Sequence, residues 1–114
     1  MILLQQLTEL VEDVKGDMTD GQAGTDTTLF LKTQTGLIAA VAATELALSD
    51  KSNTNSSISV THVITTTVGN GNNLTEFEVN NGTDSYNRSV KGGFAKTAQD
   101  EYNIFHTFTF EVVA

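Results

Sequence analysis

Apolar positions recur along this chain in two different periods, and the change between them divides the sequence. In residues 2–18, Leu4, Leu7, Val11, Val14 and Met18 step by 3, 4, 3 and 4. That spacing puts them on one stripe of an amphipathic helix, in the pattern of a coiled-coil seam. Leu3 and Leu10 widen the stripe, while Glu9, Glu12 and Asp13 fall on the outer face, and Gly16 and Gly21 lie near its end. The stripe can lie on the chain's own β domain, or dock on another copy or a neighbouring subunit. About two and a half heptads are too short to oligomerise alone in water, so a docked seam needs help from the rest of the molecule. Leu4, Leu7, Val11, Val14 and Met18 are therefore the candidate assembly residues.

Residues 19–28 read as a Gly-rich, acidic linker. Short apolar runs follow at 29–31, 36–41 and 45–48; the Thr-rich flanks and Gly36 favour short strands there, although the Ala-rich stretch 37–48 also fits a helix. Residues 50–57 form a polar turn. Beyond it the period becomes two. Ile58, Val60, His62 and Ile64 alternate with Ser59, Thr61, Val63 and Thr65 as a half-buried strand. Residues 69–73 and Asn81-Gly82 are rich in turn formers suited to positive φ and read as hairpin turns. Between them, in a strand over 74–80, Phe77 and Val79 oppose Glu76 and Glu78, which are expected to face water. Tyr86, Arg88 and Val90 then alternate with Asn87, Ser89 and Lys91, and Gly92-Gly93 marks a bulge or corner. The last strand puts Tyr102, Ile104, His106, Phe108, Phe110 and Val112 on one face, and Asn103, Phe105, Thr107, Thr109 and Glu111 on the other. The expected fold is mainly β: an antiparallel β-sandwich or jelly roll (21–114) preceded by a short helical arm (1–20).

Composition narrows the function classes. A chain of 114 residues makes one domain, and 39% hydrophobic residues are too many for a disordered one. The net charge of −8, with Lys15, Lys32, Lys51, Arg88, Lys91 and Lys96 scattered, argues against nucleic acid and anionic membranes as partners. Without cysteine there is no disulfide framework and no thiol chemistry. Met1-Ile2-Leu3-Leu4 begins apolar but lacks a basic lead and is soon interrupted by polar residues, so neither a signal peptide nor a membrane span is expected.

The candidate chemistry is sparse. His62 and His106 share the apolar face of their strands and can meet across a sheet, but a metal pair needs a further ligand that the sequence does not place nearby. The expectation is two partly buried, hydrogen-bonded histidines. Asp17, Asp20 and Asp26 fail the spacing of a calcium loop. Glu76 and Glu78 share a face but are expected to be solvated rather than a catalytic pair. No nucleophile elbow or phosphate loop is visible. Four Asn-x-Ser/Thr sequons begin at Asn55, Asn73, Asn81 and Asn87, a mild excess over chance. Neither an enzyme nor a cofactor or metal is expected.

A set of local patterns carries a resemblance. They are Gly24-Thr25-Asp26-Thr27-Thr28, Thr35-Gly36-Leu37, Gly69-Asn70-Gly71-Asn72, Leu74-Thr75-Glu76-Phe77-Glu78-Val79, Asn87-Arg88, Phe94-Ala95-Lys96-Thr97, and Glu101 with Phe105-His106-Thr107-Phe108-Thr109-Phe110. Together they resemble small virion structural proteins of tailed phages and tailed archaeal viruses. The resemblance spans about residues 24–112 and is one of strands and turns. It implies a sandwich or jelly-roll module, often trimeric, that decorates a capsid, builds a turret or head fibre, or tips a tail fibre. The expected partners are the chain itself and another virion protein such as the major capsid protein, and the expected location is the virion surface. Two other functions remain open: a tail-fibre or carbohydrate-binding module using loops near 69–86, and a subunit of an extracellular filament.

Overall fold

A computed structural model describes residues 3–29 and 33–111. They hold one α-helix, α1 (Leu4–Asp17), and seven strands: β1 (Asp20–Gly24), β2 (Ala40–Glu45), β3 (Lys51–Asn53), β4 (Ser57–Ile64), β5 (Asn73–Asn80), β6 (Ser89–Ala95) and β7 (Tyr102–Thr109). A 3-10 turn, Leu48–Asp50, leads into β3. The strands form two antiparallel sheets, ordered β2-β1-β5-β6 and β3-β4-β7. This is the antiparallel sandwich with an N-terminal helix that the alternation predicts.

The helix forms where its stripe predicts. The Gln6 side chain reaches back to accept the Leu3 N–H at 3.3 Å, and the Leu7 N–H reaches the Leu3 carbonyl at 2.9 Å. At the other end the Lys51 ammonium donates to the Lys15 and Met18 carbonyls at 3.3 and 2.8 Å. A cation on the last carbonyls complements the negative end of the helix dipole. Of the two destinations open to the stripe, much of it takes the chain's own core: Val11 and Met18 are buried with Leu46, Ile58, Val60 and Val79, and Leu7 and Val14 pack on them half-buried. Leu4 does not join them and is exposed, like Leu3 and Leu10.

A second cluster holds Ala23, Ala42, Ile64, Leu74 and Phe77, with Val68, Phe94, Tyr102 and Ile104 packed against it. Here the rings of Phe77, Phe94 and Tyr102 stack in sequence, with centroids 5.8 and 4.1 Å apart. Within β4, Ile58 and Val60 belong to the first cluster and Ile64 to the second, with His62 between them. Within β7, Tyr102 and Ile104 belong to the second and Phe108 to the first, with His106 between them. The two histidines thus occupy the waist where the two halves of the core meet.

Several sequence expectations are corrected. The Gly-rich linker is in part a strand: β1 lies inside its sheet, paired with β2 on one side and β5 on the other. Its composition reflects a need for room rather than for flexibility. A Cβ on Gly21 would lie 2.4 Å from His62 Cδ2, and one on Gly24 would lie 2.5 Å from Glu76 Oε2. The apolar runs at 36–41 and 45–48 are not the strands themselves; the strand lies between them at Ala40–Glu45, where pairing with β1 is available. Residues 30 and 31 of the run at 29–31, and Val112, lie outside the described residues. The expected turn at 50–57 contains β3, paired with β4.

The segment between β4 and β5 is not a hairpin, because these strands lie in different sheets. Gly69 and Gly71 do adopt the expected positive φ, at 71° and 83°. Turn chemistry reverses the chain locally but does not choose the strand that pairs next. The Asn81-Gly82 turn, with Gly82 at φ 91°, does join paired neighbours, β5 and β6. The bulge read at Gly92-Gly93 is present as well: Leu74 opposes Phe94 while Glu76 opposes Val90, so β6 carries extra residues there.

Candidate functional site

Three polar features stand out: a buried ion pair, the histidine pair and a shallow groove. The ion pair begins with β5, which is buried on both faces from Leu74 to Val79. Phe77 and Val79 are buried in the core, and the opposite face is covered by residues from the 25–39 segment. Glu76 is therefore wholly buried, and Glu78 nearly so, which corrects the expectation that both face water. Each Glu76 oxygen is committed. Oε1 accepts the Ile38 N–H at 2.9 Å and the Arg88 Nε–H at 2.8 Å; Oε2 accepts the Ala39 and Asp26 N–H groups at 2.8 and 3.1 Å.

Burial alone would raise the Glu76 pKa, but Arg88 and these three backbone donors together hold it below the ordinary glutamate value. The Arg88 guanidinium continues outward to the Thr28 carbonyl at 2.7 Å, Gln34 Oε1 at 3.2 Å and Asp26 Oδ1 at 3.4 Å. One carboxylate and one guanidinium thus pin Asp26, Thr28, Gln34, Ile38 and Ala39 onto the sheet. With both carboxylate oxygens engaged, the pair serves as a structural clamp.

The histidines meet as their strand faces allow. His62 opposes Ile104 and Val60 opposes His106, so the rings are diagonal neighbours with centroids 6.5 Å apart. The expectation of two partly buried, hydrogen-bonded rings fails for His62, which is wholly buried with neither ring nitrogen bonded. It holds in part for His106, which is nearly buried and whose Nε2 lacks a partner. Only His106 Nδ1 has one, the Asn87 Nδ2 at 2.9 Å. Because Asn87 Oδ1 accepts the Val79 N–H at 2.8 Å, its Nδ2 is the donor, and neutral His106 carries its proton on Nε2.

Burial first and the neighbouring His106 second push His62 down to about 4. Burial first and Lys91 second push His106 down to about 4 as well. Both rings are therefore neutral near pH 7. No third ligand joins them, since no group of three metal-ligating side chains occurs among the described residues. His62 lies against the Gly21 backbone, so Gly21→Ala forces either the ring or β1 to move. The expected cost is about 1–3 kcal/mol, read as a lower urea midpoint with unchanged slope.

The other sequence candidates scatter. Asp26 serves Arg88, Asp17 ends α1 and Asp20 begins β1. The Asn87 sequon is engaged in the core contacts just described. Asn81 is exposed, with its Oδ1 accepting the Thr83 and Asp84 N–H groups in the turn. Asn55 and Asn73 are exposed too. The lysines missed as structural parts include Lys96, buried with its ammonium on Asn70 Oδ1 at 2.8 Å and the Thr97 carbonyl at 2.9 Å.

A groove between the 34–37 segment and the 80–88 turn is lined by Gln22, Gly36, Glu78, Asn80, Thr83 and Ser85. It is open and polar. Of the two tyrosines, half-buried Tyr86 borders the adjoining depression at Gly36 and Ser85 while packing edge-on against Phe108, and Tyr102 lies on Phe94. No family model, curated protein or solved structure matches the chain.

Proposed function

We propose that this chain is an assembly module of a virus particle, a β-sandwich that sits on a capsid or fibre and works by contact rather than by catalysis. The observation that carries the reading is an apolar surplus on α1. After Val11 and Met18 have been taken into the core, Leu3 and Leu4 remain 62% exposed and Leu10 47% exposed. Leu3 and Leu10, seven residues apart, lie along one flank of the buried stripe, two turns from each other. An amphipathic helix with leucines left outside its own core presents them to a neighbour. The polar groups inside the fold support the same reading, since Glu76 and Arg88 are committed to holding the backbone. The acidic charge, low cation count and virion-like pattern of strands and turns agree with it.

Deleting the arm is not the test, because it would remove Val11 and Met18 from the core. The Leu3→Gln/Leu10→Gln variant changes only outward positions and adds no helix-capping hydroxyl at the N-cap, Leu3. It should melt like the parent chain yet fail to join the particle or assembly that the parent joins, measured as copies per particle in purified virions. If the chain is missing from virions altogether, or the variant is retained at full copy number, the reading fails.

A further inference from the structure

The sheet edges differ in how they are protected. In the first sheet, β6 is bent by its bulge and carries Lys91, Gly92 and Gly93. The other edge, β2, has its own bulge: Ala23 opposes Ala42 but Gly24 opposes Ala40, leaving Val41 extra. In the second sheet, β3 has only three residues. Bulges, charges and brevity are the usual ways of discouraging another strand.

The remaining edge, β7, has none of these. Its eight residues pair with β4 in unbroken register, and from Tyr102 to Thr109 there is no charged residue and no proline. The parity of its free groups follows from one bond. Ser57 opposes Thr109, so Ser56 opposes Phe110, and the Phe110 N–H donates to the Ser56 carbonyl at 2.8 Å. Antiparallel partners alternate between bonded and non-bonded pairs, so the even-numbered residues of β7 bond to β4 and the odd-numbered ones point outward. Among the described residues nothing pairs with the N–H and C=O groups of Asn103, Phe105, Thr107 and Thr109, which form an open edge. Their side chains are exposed too, and Phe105 is 76% exposed at the middle.

We propose that this edge is where two copies of the chain join, β7 against β7, antiparallel about a two-fold axis at Phe105. The partner must offer a strand of similar length with an open edge and no charge, and β7 itself fits. Pairing β7 with β3 of another copy would match eight residues to three. Parity allows registers in which odd residues oppose odd ones; overlap of the two eight-residue strands favours the two most central of these, and charge selects between them. Phe105 opposite Phe105 sets Asn103 against Thr107, Glu101 against Thr109 and Glu111 against Gln99, so no like charges meet. Moving by two residues in pair sum, to Phe105 opposite Thr107, would set Glu101 against Glu111 twice in a chain already at −8. The surrounding outer face is also neutral, with Ser59 opposite Thr107 and Thr61 opposite Phe105. The result is a continuous six-stranded sheet and a closed, isologous contact.

This deepens the assembly reading by naming one of its contacts. The test uses the full chain in a sedimentation concentration series with amide hydrogen exchange. A dimer is expected in which the Asn103, Phe105, Thr107 and Thr109 amides are slowed relative to the dilute monomer. Thr107→Pro removes one outward N–H per copy, hence two bonds per dimer, without touching the β4 ladder. It should raise the dissociation constant by roughly ten- to a hundredfold. Phe105→Lys should act in the same direction if the proline variant fails to fold. A monomer at every concentration, a dimer whose four amides exchange as in the monomer, or fibres that also protect the β3 edge would overturn the proposal. A β7 dimer from a chain absent from virions would sink only the particle reading; a monomer found in virions would sink only the dimer.

Discussion

Lowering the pH from 7 towards 4 should unfold this protein cooperatively, with His62 and His106 as the principal cause. Both rings are buried at the waist of the core and held down to about 4, whereas a histidine in the unfolded chain titrates near 6.5. Between those values the unfolded chain binds more protons than the folded one, so stability falls with falling pH. The contribution is fully present above about 6.5 and is lost as the pH drops through about 4. Each ring accounts for about 3 kcal/mol over that window, and the two share part of it through their mutual repulsion. Set against a typical domain stability of about 5–15 kcal/mol, that is enough to bring unfolding into mildly acidic solution.

The measurement is urea unfolding at pH 7.5, 6, 5 and 4.5, for the parent and for His62→Leu. The variant removes two unbonded ring nitrogens at similar volume, so it should be as stable as the parent or about 1–3 kcal/mol more stable at neutral pH, with a shallower pH slope. An unchanged slope would show that the rings are not the acid-sensitive element.

Removing either member of the Glu76–Arg88 pair should cost about 3–5 kcal/mol, the penalty for a buried charge left without its partner. The surroundings make a sharper expectation possible. Arg88→Met leaves Glu76 with three backbone donors. Glu76→Met instead strands the Asp26, Ile38 and Ala39 N–H groups and the Arg88 Nε–H, and leaves the guanidinium only the partly exposed Asp26 as a counter-charge. A simple buried pair is often replaced by two apolar residues at little cost. Here the double methionine variant should remain at least as unstable as Glu76→Met plus the relief of the arginine charge allows, because the three N–H groups stay unbonded. Chemical denaturation of the two single variants and the double reads this as a thermodynamic cycle. Full recovery in the double variant would mean that the charges matter only to each other and that the carboxylate does not anchor the Asp26, Ile38 and Ala39 backbone. Glu76 also adds to acid sensitivity in the same direction as the histidines. Its lowered pKa gives stability present above the ordinary value of 4.5 and lost as the pH falls below it.

Where one side of an element faces water, local pattern was enough to read it. The stripe of α1 brings Val11 and Met18 inside, and the alternation of β7 puts Ile104, His106 and Phe108 inward with Asn103, Phe105 and Thr107 outward. His62 and His106 could be assigned to the core side of their strands by period alone. That His62 has no bonded partner while His106 keeps Asn87 could not, because a ring nitrogen's partner depends on which side chain the opposite sheet supplies, and that sheet presents the Gly21 backbone to His62.

The sequence by itself determined the class of fold, the helix, the long strands and the turns at Gly69, Gly71 and Gly82, because period and φ preference act over a few neighbouring residues. It also determined that the chain is acidic and without cysteine. Only the tertiary structure decided that Asp20–Gly24 is an inner strand rather than a linker, and that β4 and β5 belong to different sheets. It alone decided that Glu76 is buried, since the donors that satisfy its carboxylate are Arg88 and the Asp26, Ile38 and Ala39 backbone, 12 to 50 residues away. A polar residue is driven towards water by its own chemistry; whether it can stay inside depends on partners brought to it by distant parts of the chain.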